Sequence, residues 1–255
     1  MAYNDSSYGL FQGQLFIQER AFNGAPLSGF EFIGDADMFT VDPKQKFEDI
    51  KESQSGLGLT AAHIPTETDV AVKLRTLDIR IANWVRATWG GSAGGVDAAS
   101  VSGESVVFYN NSMTPLAHPG VSNVSGVPGV LGTDYRIDAA NGAIIVLPGS
   151  TAIPPGAGVP GTVSYDHAAY AGKVEAFVTG QRYYTLRLHG RNTAQGNQPV
   201  IVTCHQAALD MAKSFNLIEK KHMTFELDGM LLQDTTKPLP QLATDLSQFF
   251  TVMKA

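Results

Sequence analysis

The sequence predicts a mainly β protein: an antiparallel β-sandwich or barrel with one clear α-helix and an inserted β module. Three observations predict it. Short runs rich in β-branched and aromatic residues recur along the chain, bounded by glycine, proline and asparagine. One of them, 69–75, alternates cleanly, with Val70, Val72 and Leu74 on one face and Lys73 and Arg75 on the other. A single segment carries a strong helical spacing of apolar residues.

In chain order, 14–18, 29–34 and 38–41 read as strands, the third stopping at Asp42-Pro43. Residues 46–53 are charged and amphipathic and suit a strand or a short helix. Residues 54–67 read as a long polar loop containing Gly56, Gly58 and Pro65. After strand 69–75, Asp78 is the expected N-cap of a helix over 79–89. Ile81, Trp84, Val85 and Thr88 share its apolar face, and Gly90-Gly91 ends it.

From 92 to 169 the composition shifts to Gly, Pro, Ser, Val and Ala, with strand candidates at 105–109, 135–138, 143–147 and 162–165. Asn141-Gly142 between two of these signals a tight hairpin. This divides the chain into a main β domain, 1–91 with 170–255, and an inserted module, 92–169. Beyond it, 173–178 and 184–190 alternate, 199–204 is a buried-strand run, and 207–212 is helix-prone. Residues 223–234 read as paired strands or one bent strand, and 249–252 as a last strand.

Of 255 residues only 16% are charged, against about 25% in ordinary soluble domains. That shortage fits a surface partly covered by something else, or a large β domain dressed in Ser, Thr, Asn and Gly. The net charge of −6 argues against a sequence-reading nucleic-acid binder. It leaves room for a surface that nucleic acid merely passes. The single cysteine, Cys204, excludes an internal disulfide, lies in an apolar run and suits folding in a reducing cytoplasm. The first residues lack a basic and an apolar region, so no signal peptide is expected. No apolar run reaches the roughly 20 residues of a membrane span.

The residues offer no catalytic constellation. The glycine-rich stretch from Gly90 to Gly95 follows a helix and lacks a lysine, which suits a linker better than a phosphate loop. Asp35 and Asp37 have no third acidic ligand at calcium-loop spacing. There is no nucleophile elbow, no His-Glu-x-x-His and no cysteine pair. The six histidines are scattered, although two could still meet in space. No enzyme activity, metal site or cofactor is expected.

The stretch 183–194 followed by Pro199-Val200-Ile201-Val202 resembles the second half of the tail tube proteins of long-tailed phages. There, a strand ends in Gly-x-Asn and a turn leads to a buried strand, as at Gly190-Arg191-Asn192. Residues 207–210 and 225–234, and nearer the N-terminus 34–38, 46–56 and the strand-plus-helix unit 69–90, are similar in the same way. The module over 134–165 resembles an insertion seen in some members.

This resemblance implies a sandwich whose inner sheet joins copies into hexameric rings. The rings stack into a virion tail tube, assembled in the bacterial host cytoplasm, that conducts DNA. Implied partners are further copies, a tape-measure protein, terminator, connector or baseplate proteins, and genomic DNA passing without sequence-specific contact. Gln54, Leu57, Leu59, His63 and Ile64 are the expected ring-to-ring contact, with a plain surface loop as the alternative. Glu48, Asp49 and Glu52 are the expected lumen charges, with a solvated outer face as the alternative. Trp84 and Trp89 are expected to anchor the helix on the sandwich or a neighbour. The inserted module would lie on the tube exterior. Two other readings stay open: a type VI-like secretion tube ring protein, and an adhesive or carbohydrate-binding β-sandwich.

Overall fold

The alternating runs pair as antiparallel strands and the chain divides into two units, Met1–Gly91 with Val174–Ala255, and Ser92–Lys173. The computed structural model describes residues 11–53, 57, 59–218, 220, 222–238 and 247–254. The fold is mainly β with one helix and antiparallel sheets.

In the first unit β1 (Phe11–Arg20), β2 (Glu31–Phe32), β3 (Ala36–Lys51) and β4 (Thr60–Thr76) precede helix α1 (Ile81–Thr88). The chain leaves through β5 (Gly91–Ala93). In the second unit come β6 (Ala99–Phe108), β7 (Met113–Pro115), β8 (Val121–Ser125), β9 (Tyr135–Asp138), β10 (Ala143–Val146) and β11 (Val159–His167). The chain returns through β12 (Lys173–Glu175). It then forms β13 (Tyr183–Asn192), β14 (Gln198–Leu209), β15 (Phe225–Leu231) and β16 (Phe250–Lys254).

The sheet of the first unit runs β2-β1-β13-β14-β15-β4-β3, with β16 also on β14. β15 and β16 divide one edge of β14: Leu231 to Gly229 face Ala207 to Leu209, and Lys254 to Phe250 face Val200 to Cys204. Below that division the sheet parts into two layers. Their inner faces bury Leu15, Ile17, Val72, Leu74, Leu186, Cys204, Phe225 and Leu227. Opposed Gly13 and Gly190 let β1 and β13 approach closely, since a Cβ on Gly13 would lie 2.2 Å from the His189 carbonyl oxygen.

Several expectations are corrected. β3 does not stop at Asp42-Pro43 but runs to Lys51, and the expected loop 54–67 is strand from Thr60 onward, Pro65 included. β3 pairs only with β4 among the described residues, so Pro43 needs no donor on its outer side. Residues 46–51 are strand, not helix. The helix-prone 207–212 begins as the end of β14, because Ala207 to Leu209 are buried while pairing with β15.

The helix takes Arg80 as N-cap without a side-chain cap. Asp78 acts from two residues upstream, accepting the Arg80 N–H at 3.0 Å. Trp89, at φ 46°, supplies the left-handed C-cap expected of Gly90. The buried face centres on Asn83, Ala87 and Thr88, with Ile81 and Val85 only half-buried. Asn83 is drawn inward because its side chain donates to the Ile33 and Asp78 carbonyls, both at 2.8 Å.

The second unit has its own core of Phe108, Val121, Tyr135, Ile144, Ile153, Val163 and Tyr165, between sheets β7-β10-β9 and β6-β11-β8. It ends at Lys173, beyond the expected 169. Val96 and Tyr170 exchange two backbone hydrogen bonds of 2.9 and 3.0 Å near its two ends. The β9–β10 hairpin spans four residues rather than two. Asp138 accepts from the Asn141 N–H and side chain, and Gly142 takes the left-handed conformation at φ 64°.

Candidate assembly surfaces

β3 and β4 stay paired well past the core. Residues 43–51 and 60–69 form an arm about 30 Å long at strand rise, exposed throughout except half-buried Ala62. Directly opposed residues share a face, so Glu48, Ile64, Ile50 and Ala62 lie on one side, and Phe47, Pro65, Asp49 and His63 on the other. The Phe47 and His63 rings stack at 4.1 Å, the His63 ring bonds Asp49 at 2.5 Å, and Lys46 pairs with Glu67. Such surface pairs contribute about 0.2–1 kcal/mol each, and an isolated two-stranded ribbon is marginal in water. Phe47, Ile50 and Ile64 are about half exposed, and Leu57 and Leu59 still more.

Where the layers part, an apolar cleft of about 800 Å³ opens between them. Phe11, Leu15, Leu188, Val202, Phe250 and Val252 line one side, and Met38, Phe39, Val41 and Pro43 the other. Among the described residues the long open edges of the first unit's sheet include the outer edge of β3, along all sixteen of its residues, and that of β16. Long open edges beside exposed apolar area are the features that natural proteins cover or blunt.

Of the expected ring-to-ring residues, Leu57, Leu59, His63 and Ile64 all belong to the arm or its tip, and Gln54 lies outside the described residues. Glu48 and Asp49 do not form one acidic surface with Glu52, because neighbours in a strand point to opposite faces. Trp84 packs against Phe215 and Phe225 at 5.5 and 4.9 Å, and the Trp89 indole donates to the Leu209 carbonyl at 3.3 Å. Both tryptophans therefore hold α1 to the first unit's own core.

Two histidines do meet. His118 and His167 stack at 4.1 Å in the second unit, and His118 Nδ1 bonds the Tyr170 hydroxyl at 2.9 Å. Tyr165, hydrogen-bonded to Glu104, has its hydroxyl pushed up to about 12 by burial and by that carboxylate. Stacked rings direct their nitrogens side by side rather than toward one point. No group of three or more His, Cys, Asp or Glu that could hold a metal occurs among the described residues. Sequence reasoning missed the cleft and the extent of the arm, whose only signals were apolar residues at Phe47, Ile50 and Ile64 within charged surroundings.

These features define an antiparallel β protein with unsealed edges and an apolar opening. The chain belongs to the family described as protein of unknown function UCP028589, whose model matches residues 8–253 and so runs through both units. No curated protein matches it.

Proposed function

We propose that this chain is a structural subunit that assembles with copies of itself, forming hexameric rings that stack into the tail tube of a long-tailed phage. The observation that carries the reading is the exposed β3–β4 arm beside an open apolar cleft and unpaired edges. A lone copy leaves all three in water. A neighbouring copy removes apolar area from water at about 25 cal/mol per Å² and satisfies the strand edges.

A contact between different patches closes into a ring when its rotation closes, and stacking repeats until capped. In this reading tape-measure, terminator and baseplate proteins meet the ends, and DNA passes through the lumen. The protein has no catalytic role and resides in the virion. The resemblance of 183–202 to tail tube proteins supports the phage assignment over a secretion tube.

Negative-stain electron microscopy of the purified chain tests this directly. Six-membered rings or tubes are the expected result. A monomer that persists at high concentration overturns the reading and favours an adhesive β-sandwich, to be tested by glycan binding.

A further inference from the structure

Five of the seven arginines in the first unit are ion-paired. Arg20 pairs with Asp234, Arg75 with Asp37, Arg80 with Asp78, Arg86 with Glu31 and Arg182 with Glu19. Arg187 and Arg191 are different. Among the described residues their side chains make no ion pair and no hydrogen bond, and the Arg187 Nε is buried without a partner.

Both lie on the outward face of β13, with His189 between them. Residues two apart on a strand repeat at about 6.7 Å. The flanking rows present Gln12, Gln14 and Phe16 from β1, opposite Arg191, His189 and Arg187, and Pro199, Ile201 and Thr203 from β14, opposite the same three. A shallow groove of about 780 Å³ runs over Gln12, Gln14, His189 and Arg191. The described part of this face carries one carboxylate, Asp234, and Arg20 already holds it. In a chain of net charge −6, an acid-free row of cations and amide or hydroxyl donors is a local reversal of sign.

We propose that this face of β1, β13 and β14 contacts the phosphate backbone of nucleic acid, with Arg187 and Arg191 as the charged contacts. The composition favours nucleic acid over an acidic protein. Protein interfaces are apolar and charge-depleted at their centre, whereas nucleic-acid interfaces are more polar and positive. Here the central row is charged, with Arg187 and Arg191 on either side of His189 and no ion pair to either among the described residues, although Phe16, Pro199 and Ile201 lie beside it. Planar guanidinium groups match phosphate oxygens, which are the same at every base, so the contact is independent of sequence. The proposal rests on the tube reading only for placing this face toward the DNA, in place of Glu48, Asp49 and Glu52. Binding itself does not depend on it.

The test is fluorescence anisotropy of the full chain with labelled single-stranded and duplex oligonucleotides of about 20 units, longer than a typical single-strand site. Binding is expected at ~20 mM salt and should weaken roughly tenfold between about 50 and 200 mM, the loss that two phosphate contacts imply. Arg187→Gln with Arg191→Gln should weaken it at least tenfold and flatten the salt slope by about 1.4 for the single strand. Lys44→Gln with Lys46→Gln removes the same charge from the arm and should leave binding unchanged. No binding by the parent chain, equal loss in both double variants, or equally tight binding of poly-glutamate overturns the proposal. Rings without oligonucleotide binding defeat this inference alone, and binding without rings defeats the tube reading alone.

Discussion

Arg20 on β1 and Asp234 beyond β15 form an ion pair of 2.8 Å, with both side chains almost sealed from water. The guanidinium also donates to the carbonyls of His205 and Gly24, and Thr236 donates to Asp234 through its N–H and hydroxyl. One pair thus ties β1, the turn after it, β14 and the segment 234–237 together.

Asp234→Ala should destabilise the first unit by about 3–5 kcal/mol, the cost of leaving a buried cation unpaired. Burial alone would raise the Asp234 carboxyl, but hydrogen bonds from Arg20 and Thr236 outweigh it and hold it below the usual carboxylate range. A lowered folded value contributes stability that is full above the unfolded value near 3.9 and is lost as pH falls toward the folded one. Denaturant unfolding of parent and variant at neutral and acid pH should show their difference shrinking below about pH 4.

Asp134 plays a comparable part in the second unit without a cation. Its carboxylate accepts from the Val130 N–H at 2.8 Å, the Ser150 hydroxyl at 2.7 Å and the Thr151 N–H at 3.1 Å. These bonds, the Val130 N–H foremost, hold its carboxyl below the usual range. Asp134→Asn should lower the melting temperature of this unit and leave that of the first unit unchanged. Equal shifts in both transitions of a calorimetric scan would contradict the separate cores.

Cys204 has no exposed surface, and burial pushes its thiol up to about 12. The thiolate is the reacting form, so the native chain should resist a thiol reagent at pH 8 and react at once in denaturant. Fast labelling of folded protein would show that β14 opens readily.

On the arm, Ile50→Asp with Ile64→Asp replaces two half-exposed side chains that share a face. Surface changes of this kind cost within about 0.5 kcal/mol in the lone chain. The circular dichroism spectrum and melting of the variant should match the parent, while sedimentation shows assembly abolished. A variant that still forms tubes would remove this face of the arm from the contact.

Elements with local signals were legible. The expected strand at 135–138 coincides with β9, and the alternation of Val70, Val72 and Leu74 matches their burial in the core. Local chemistry misled where partners outweighed it. Pro43 and Pro65 read as breakers, yet both sit in strands because a ribbon edge needs no donor there. Ala207 and Ala208 favour helix, yet pairing with β13 and β15 makes them strand. The candidate surfaces were less legible still. Whether Arg187 is unpaired depends on where Asp37, Glu31, Glu19 and Asp234 go, and those partners lie far along the chain from their arginines.

Period-two alternation, turn residues and a shift in composition are properties of neighbouring positions, so the amino acids alone announced a β protein with one helix and an insert. Which edges stay open, how wide the layers part and which cations find an ion-pair partner are relations between segments distant in sequence. Only folding establishes those, because an edge is defined by the strand that fails to arrive beside it.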